Sequence, residues 1–91
     1  MDKEYASQIA IEALSYIAGD QELLNQFVSL SGLQPDQISQ IADTPAFLAA
    51  ILDFLRTDDT KLLAFSSSRN IEPDLIYKAK ITLDPEINYD Q

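Results

Sequence analysis

The chain has 91 residues and a formal net charge of −9; 46% of its residues are hydrophobic, and it contains two glycines, no cysteine and no histidine. This composition favours a single helix-rich globular domain over a disordered chain, and it excludes disulfides, thiolate metal ligands, cysteine nucleophiles and the usual histidine proton shuttle. The excess of acids repels phosphate backbones, so direct nucleic-acid binding is not expected.

The distribution of apolar residues points away from membranes. No run approaches the roughly 20 apolar residues that a membrane span needs, and the start from Met1 to Glu4 lacks the basic stretch of a secretory signal. We therefore expect a cytoplasmic protein with no membrane association. Because thiolate and imidazole ligands and a glycine-rich phosphate loop are all missing, we predict no cofactor and no metal site.

The first two helices are marked by their ends. Apolar residues at helical spacing predict a first helix from about Lys3 to Ala18, and Gly19 is expected to end it in the left-handed conformation. Asp20 suits the N-cap of a second helix, because its carboxylate can accept a free backbone N–H. Gly32 provides the left-handed stop of that helix.

Prolines mark the next two helix starts. A third, short helix is expected to open at Pro35, where the missing amide hydrogen would be unpaired anyway. The fourth opens at Pro45 and continues to Leu55, and Asp53 is its only polar residue before Arg56. Since a helix that is apolar around nearly its whole circumference is normally buried on most sides, we place this helix at the centre of the fold.

The last two helices repeat these signals. Asp58 is expected to cap a fifth helix, and Asn70 stands where a left-handed stop is needed, a conformation that asparagine tolerates better than other residues with a side chain. A sixth helix is predicted from Pro73 to about Leu83. Residues 84–91 are expected to fray as a terminal tail.

An internal repeat organises these helices. A shift of 38 residues aligns the run 14–38 with the run 52–76. Periodicity alone would make two helical hairpins share leucines, but it does not account for caps, left-handed stops and Pro-Asp starts that match at one spacing. We predict an all-α compact bundle of about six helices formed by two tandem three-helix units, about 3–42 and about 44–83, with the first and fourth helices central around a pseudo-twofold axis. The identical pairs are Leu14/Leu52, Asp20/Asp58, Leu24/Leu62, Phe27/Phe65, Ser29/Ser67, Pro35/Pro73, Asp36/Asp74 and Ile38/Ile76.

Two surfaces are candidates for partner binding. Ile11 lies away from the centre of the apolar stripe of the first helix, on the flank of Leu14 and Ala18, so it is either covered by a neighbouring helix or part of a partner patch. The second surface lies on the sixth helix and combines aromatic, cationic and aliphatic side chains. Its residues are Tyr77, Lys78 and Ile81, together with Tyr89 of the tail.

Carboxylates are the only abundant reactive groups, and their positions favour structural roles. Asp58 and Asp59 fall at a helix start, where capping and the helix dipole favour acids. Asp53 either pairs with Arg56 one turn later or marks the wet edge of its helix. We therefore predict no catalytic residue.

Three runs carry a resemblance: LSGL at 30–33, TPAFLAAILDFL at 44–55 and LLAF at 62–65. With them the chain resembles an uncharacterised family of short helical bacterial proteins, the Domain of Unknown Function 3572 family. The resemblance spans roughly residues 6 to 83, and residues 45–55 are its most specific part. It implies a small cytoplasmic helical protein and brings no activity or catalytic residue with it.

The residues favour a binding function over a catalytic one. We predict a protein–protein interaction adaptor or regulator, because the chain offers apolar surface and acidic charge without reactive chemistry. The identity of the protein partner is unknown, and homodimerisation through the first helix is compatible with this prediction and with both of the alternatives that follow. The first alternative is an acidic protein that mimics nucleic acid and inhibits a basic partner. The second is a carboxylate-dependent enzyme, and we expect the chain not to be an enzyme.

Overall fold

The computed structural model describes residues 1–84, which form six α-helices and no β-strand. This confirms the predicted all-α fold. The helices are α1 (Lys3–Ala18), α2 (Gln21–Ser31), α3 (Pro35–Ile41), α4 (Pro45–Arg56), α5 (Asp59–Arg69) and α6 (Pro73–Leu83). The predicted frayed tail and Tyr89 lie outside the described residues, apart from Asp84, which is the C-cap of α6. None of the helices in the described part is long and apolar enough to cross a membrane.

Side-chain caps start the helices where the sequence predicts them. The carboxylate of Asp20 accepts the backbone N–H groups of Glu22 and Leu23 at the start of α2. Asp58 accepts the backbone N–H of Thr60 at 2.8 Å and starts α5 in the same way. These bonds satisfy donors that have no partner inside a helix, and they therefore fix the first turn.

The predicted left-handed stops are present at two of three positions. Gly32 ends α2 with φ 75°, and Asn70 ends α5 with φ 55°. The prediction for Gly19 is wrong, because its φ is −80° and its ψ −5°, which is right-handed. The next N-cap, Asp20, follows Gly19 directly. The backbone stays right-handed through this turn, where the N–H of Gly19 donates to Ser15 O and the N–H of Asp20 donates to Ile17 O.

The core is formed mainly where α1, α4 and α6 pack against one another. The central position predicted for α4 agrees with this packing, since most of its apolar side chains are buried, including Leu52 and Leu55 at 0% exposure. The position of α6 was not predicted: it packs extensively against both α1 and α4, and Ile76 and Ala79 are its fully buried side chains.

The structure does not show the predicted repeat, which stays a prediction. Phe27 and Phe65 are both buried, but Leu52 is fully buried whereas Leu14 is only partly buried. The two units also differ in their third helix: α6 packs broadly on α1 and α4, whereas α3, only seven residues long, makes few contacts with other helices. A short helix buries less apolar surface, and Ile38 is its main contribution to the core.

Candidate interaction surfaces

Ile11 is not covered by another helix. Its side chain is 53% exposed, and that of Tyr5 on the same helix is 45% exposed. Both line a groove of about 330 Å³ that also includes Gln8 and, from the segment before α6, Ile71. We call this surface the α1 groove; its lining residues are Tyr5, Gln8, Ile9, Ile11, Glu12 and Ile71.

The residues predicted to accompany Ile11 have different surroundings. Leu14 is partly buried against the core, so it stabilises the fold. Ala18 is exposed in the last turn of α1. Neither residue lines the α1 groove, whose additional apolar surface comes from Tyr5 and Ile71 instead.

The predicted patch on α6 is largely engaged by its own chain. The Arg56 guanidinium lies 4.5 Å from the centre of the Tyr77 ring, a cation–π contact between α4 and α6. Lys78 forms an ion pair with Asp74 at 3.1 Å, and Ile81 is partly buried. Tyr77 and Lys78 remain exposed enough for a partner to reach, but their cationic and aromatic groups already have intramolecular contacts.

A second groove lies between α2 and α4 and was not predicted. Its volume is about 240 Å³. Leu30, at its rim, is 74% exposed and is the most exposed large apolar residue of the described chain. The sequence did hold a signal for it, because Ala50 and Asp53 lie on the one edge of α4 that is not strongly apolar. We call it the α2–α4 groove; its lining residues are Phe27, Leu30, Ser31, Ala50, Asp53, Phe54 and Thr57.

The surface charge is unevenly compensated. Each base of the described chain other than Lys3 forms an ion pair. Most of the acids lie at helix starts, where the positive end of the helix dipole favours them. These acids are Asp2, Glu4, Asp20, Glu22, Asp36, Asp58, Asp59, Glu72 and Asp74.

The carboxylates show little sign of catalytic tuning. The pKa of Asp58 lies below its ordinary value of 3.8, chiefly because its carboxylate accepts the Thr60 backbone N–H, and further because Lys61 bonds and attracts it. A general acid at neutral pH needs the opposite shift. Asp53 is exposed and lies 3.7 Å from Arg56. Among the residues that the structure describes, no polar side chain is buried and no group of three or more acids could hold a metal ion.

Comparison with known proteins agrees with the resemblance seen in the sequence. The sequence model of a family described as "Protein of unknown function (DUF3572)" matches residues 3–86. The match covers nearly the whole chain and confirms the family resemblance. No curated protein and no solved structure matches the chain significantly.

Proposed function

The chain belongs to the DUF3572 family, whose function is unknown, and we propose that it acts as a protein–protein interaction adaptor or regulator. In this proposal its protein partner binds the α1 groove. The observation that supports it is the pairing of two half-exposed large apolar side chains, Tyr5 and Ile11, in one groove with Ile71. The cytoplasmic location implied by the resemblance belongs to the same proposal, and cell fractionation would test it.

The composition of the α1 groove suits a protein interface. Single exposed apolar residues are common on proteins, but apolar residues that share a concave surface with polar groups at its edge are typical of binding sites. Glu12 forms that edge and is held by Arg69, whose Nη1 lies 2.9 Å from its Oε1. This ion pair joins α1 to the end of α5 at the edge of the groove.

Two other functions have less support. A carboxylate-dependent enzyme needs an acid tuned toward neutral pH, whereas the pKa of Asp58 is lowered and Asp53 is the only carboxylate among the residues lining its groove. A nucleic-acid mimic needs acids arranged along one face. Most of the acids are instead distributed over five helix starts, and capping and the helix dipole account for these without a partner.

The test is affinity purification from the native organism with tagged wild type, Ile11→Glu and the control Leu63→Glu. Leu63 is 58% exposed on α5 and lies outside both grooves, so its variant makes the same chemical change elsewhere. Binding is compared at about 50 mM and about 500 mM salt, because screening weakens charged contacts far more than apolar ones.

The proposal predicts a partner that survives high salt, is lost with Ile11→Glu and is retained with Leu63→Glu. A basic partner that is lost at high salt and binds all three proteins alike would favour the acidic mimic. A partner that Leu63→Glu loses as readily as Ile11→Glu would contradict the α1 groove as the site.

A further inference from the structure

We propose that the α2–α4 groove binds an amphipathic helix of a partner protein, which presents an apolar side chain to Leu30 and an arginine or lysine to Asp53. This surface shares no lining residue with the α1 groove. The inference therefore does not depend on the function proposed for that groove, and a chain with both surfaces would have the two sites that an adaptor needs.

The size of the groove favours side chains over a small-molecule ligand. Small-molecule sites usually have about 300–1,000 Å³, whereas this groove has about 240 Å³. Its floor is formed by Phe27 and Phe54, whose rings pack edge-to-face at 5.4 Å and are almost fully buried. Leu30 stands at the rim with most of its surface in water, so a partner that covers it gains apolar burial.

The two helices that line the groove favour a helical partner segment over an extended one. Both walls are helices whose backbone groups are bonded internally, and the described residues contain no sheet edge to which an extended segment could add. A groove between two helices is instead typically bound by an amphipathic helix of the partner, which lays its apolar face into the groove.

Asp53 can accept a hydrogen bond from such a partner. Its separation of 3.7 Å from Arg56 is longer than a charge-assisted hydrogen bond of about 2.7–2.9 Å. The Arg56 guanidinium, which forms this longer ion pair, also lies over the ring of Tyr77 on α6. The Asp53 side chain is 57% exposed, so an incoming cation reaches it without displacing a buried group.

Two helix ends add negative potential to the groove. Ser31 is the last residue of α2, which has no basic residue in its last turn, and Thr57 is the C-cap of α4. Both residues line the groove. A helix carries about half a negative charge at its C-terminal end. The last turn of α4 already contains Arg56, so the end of α2 is the one that most favours a cation from a partner.

The contact between α1 and α5 corresponds in sequence to the contact between α2 and α4, and it contains an arginine of the chain itself. The 38-residue shift relates Phe27 of α2 to Phe65 of α5, and Phe54 of α4 to Tyr16 of α1. The rings of Tyr16 and Phe65 are also 5.4 Å apart. There the guanidinium of Arg69 lies 5.8 Å from the centre of the Tyr16 ring.

The α2–α4 groove lacks the residues that fill its counterpart. Arg69 forms an ion pair with Glu12 across the α1–α5 contact. The shift relates these two positions to Ser31 and Ala50, which carry no charge and line the α2–α4 groove. The Nζ of Lys61 already lies 5.7 Å from the centre of the Phe54 ring, so an arginine from a partner is expected beside Asp53 rather than on that ring.

The experiment titrates the intact chain with a fluorescein-labelled synthetic helix of about 18 residues, five turns, with leucines on one face and arginines on the other. Anisotropy gives the affinity, and amide shifts in two-dimensional NMR locate the contact. A second probe carries glutamates in place of the arginines. The proposal predicts that the basic probe binds, that the acidic one does not, and that the largest shifts are those of residues lining the α2–α4 groove.

Matched variants separate the groove from general charge attraction. We expect Leu30→Gln to weaken binding of the basic probe about tenfold, and the control Leu63→Gln to leave it unchanged. We expect Asp53→Asn to weaken it about threefold, and Asp36→Asn, which removes the same charge from α3, to have no effect. All four residues are exposed, so the variants are expected to fold.

A double variant tests the comparison with the filled contact. Ser31→Arg with Ala50→Glu places the charges of Arg69 and Glu12 inside the groove and leaves the net charge at −9. We expect binding of the basic probe to fall more than tenfold while the circular dichroism spectrum is unchanged. Equal weakening by Leu30→Gln and Leu63→Gln, binding of the acidic probe, or full binding by the double variant would overturn the proposal.

Discussion

The two glycines of the chain allow a matched test of its backbone, because replacement by alanine is expected to have opposite effects at the two positions. At Gly32, φ is 75°, and no heavy atom lies within 4 Å of an added Cβ. The cost of Gly32→Ala is therefore conformational and comes from the left-handed backbone, which disfavours a side chain by about 1–2 kcal/mol.

At Gly19 the same change meets no such penalty. Its φ of −80° is right-handed, and an added Cβ would lie 3.4 Å from the carbonyl oxygen of Ser15. Alanine also restricts the unfolded chain, which stabilises a protein by about 0.4–1 kcal/mol where the native backbone is compatible. The two variants should therefore differ in unfolding free energy by about 2 kcal/mol.

Urea denaturation followed by circular dichroism measures this difference directly. In thermal unfolding, 1 kcal/mol corresponds to about 4–8 °C for a domain of about 60–100 residues, so Gly32→Ala should lower the Tm by several degrees while Gly19→Ala leaves it unchanged or raises it. Equal destabilisation by both variants would contradict this difference between Gly19 and Gly32, since it would mean that the two turns place the same demand on the backbone.

Further variants test the core, a cap and the assembly state. Phe65→Leu should cost about 1–2 kcal/mol in urea denaturation, because Phe65 is fully buried and packs on Tyr16; a cost near zero would contradict this position in the core. Asp58→Asn keeps a capping side chain but loses the charge. Since the folded pKa of Asp58 is lowered, its charge stabilises the fold above pH 3.8, and this contribution is lost as the pH falls through the folded pKa. The stability difference between wild type and Asp58→Asn should therefore shrink on acidification, and a difference that is constant with pH would contradict the assignment. In light scattering we expect wild type and Ile11→Glu both to have the monomer mass of 10.2 kDa, because two copies that each carry −9 repel; a doubled wild-type mass that returns to 10.2 kDa in Ile11→Glu would show a homodimer through α1.

The helix starts and stops could be predicted from the sequence because each depends on residues that are close together in the chain. The helix starts at Asp20 and Asp58 depend on a carboxylate and backbone donors two or three residues away, and the stops at Gly32 and Asn70 depend on the conformational preference of one residue. Gly19 shows the limit of this reasoning. A glycine permits the left-handed conformation but does not require it, and the direction of the next helix decides which is used.

The arrangement of the helices depends on contacts that periodicity does not specify. The ion pair between Glu12 and Arg69 joins residues 57 positions apart, and the position of α6 against both α1 and α4 follows from the shapes of several apolar faces together. The α2–α4 groove could not be predicted for the same reason: Leu30 is exposed because no other helix covers that edge of α2, and a helical pattern does not identify its neighbours.

Residue-specific crosslinking in living cells tests the proposed function most directly. A photoreactive amino acid replaces Ile11 in one strain and Leu63 in another, and the chain is isolated after irradiation. We expect a discrete adduct of higher mass with position 11 and none with position 63, and a mass near twice 10.2 kDa would identify a second copy. An adduct pattern that is the same at both positions, or no adduct at position 11, would contradict binding through the α1 groove.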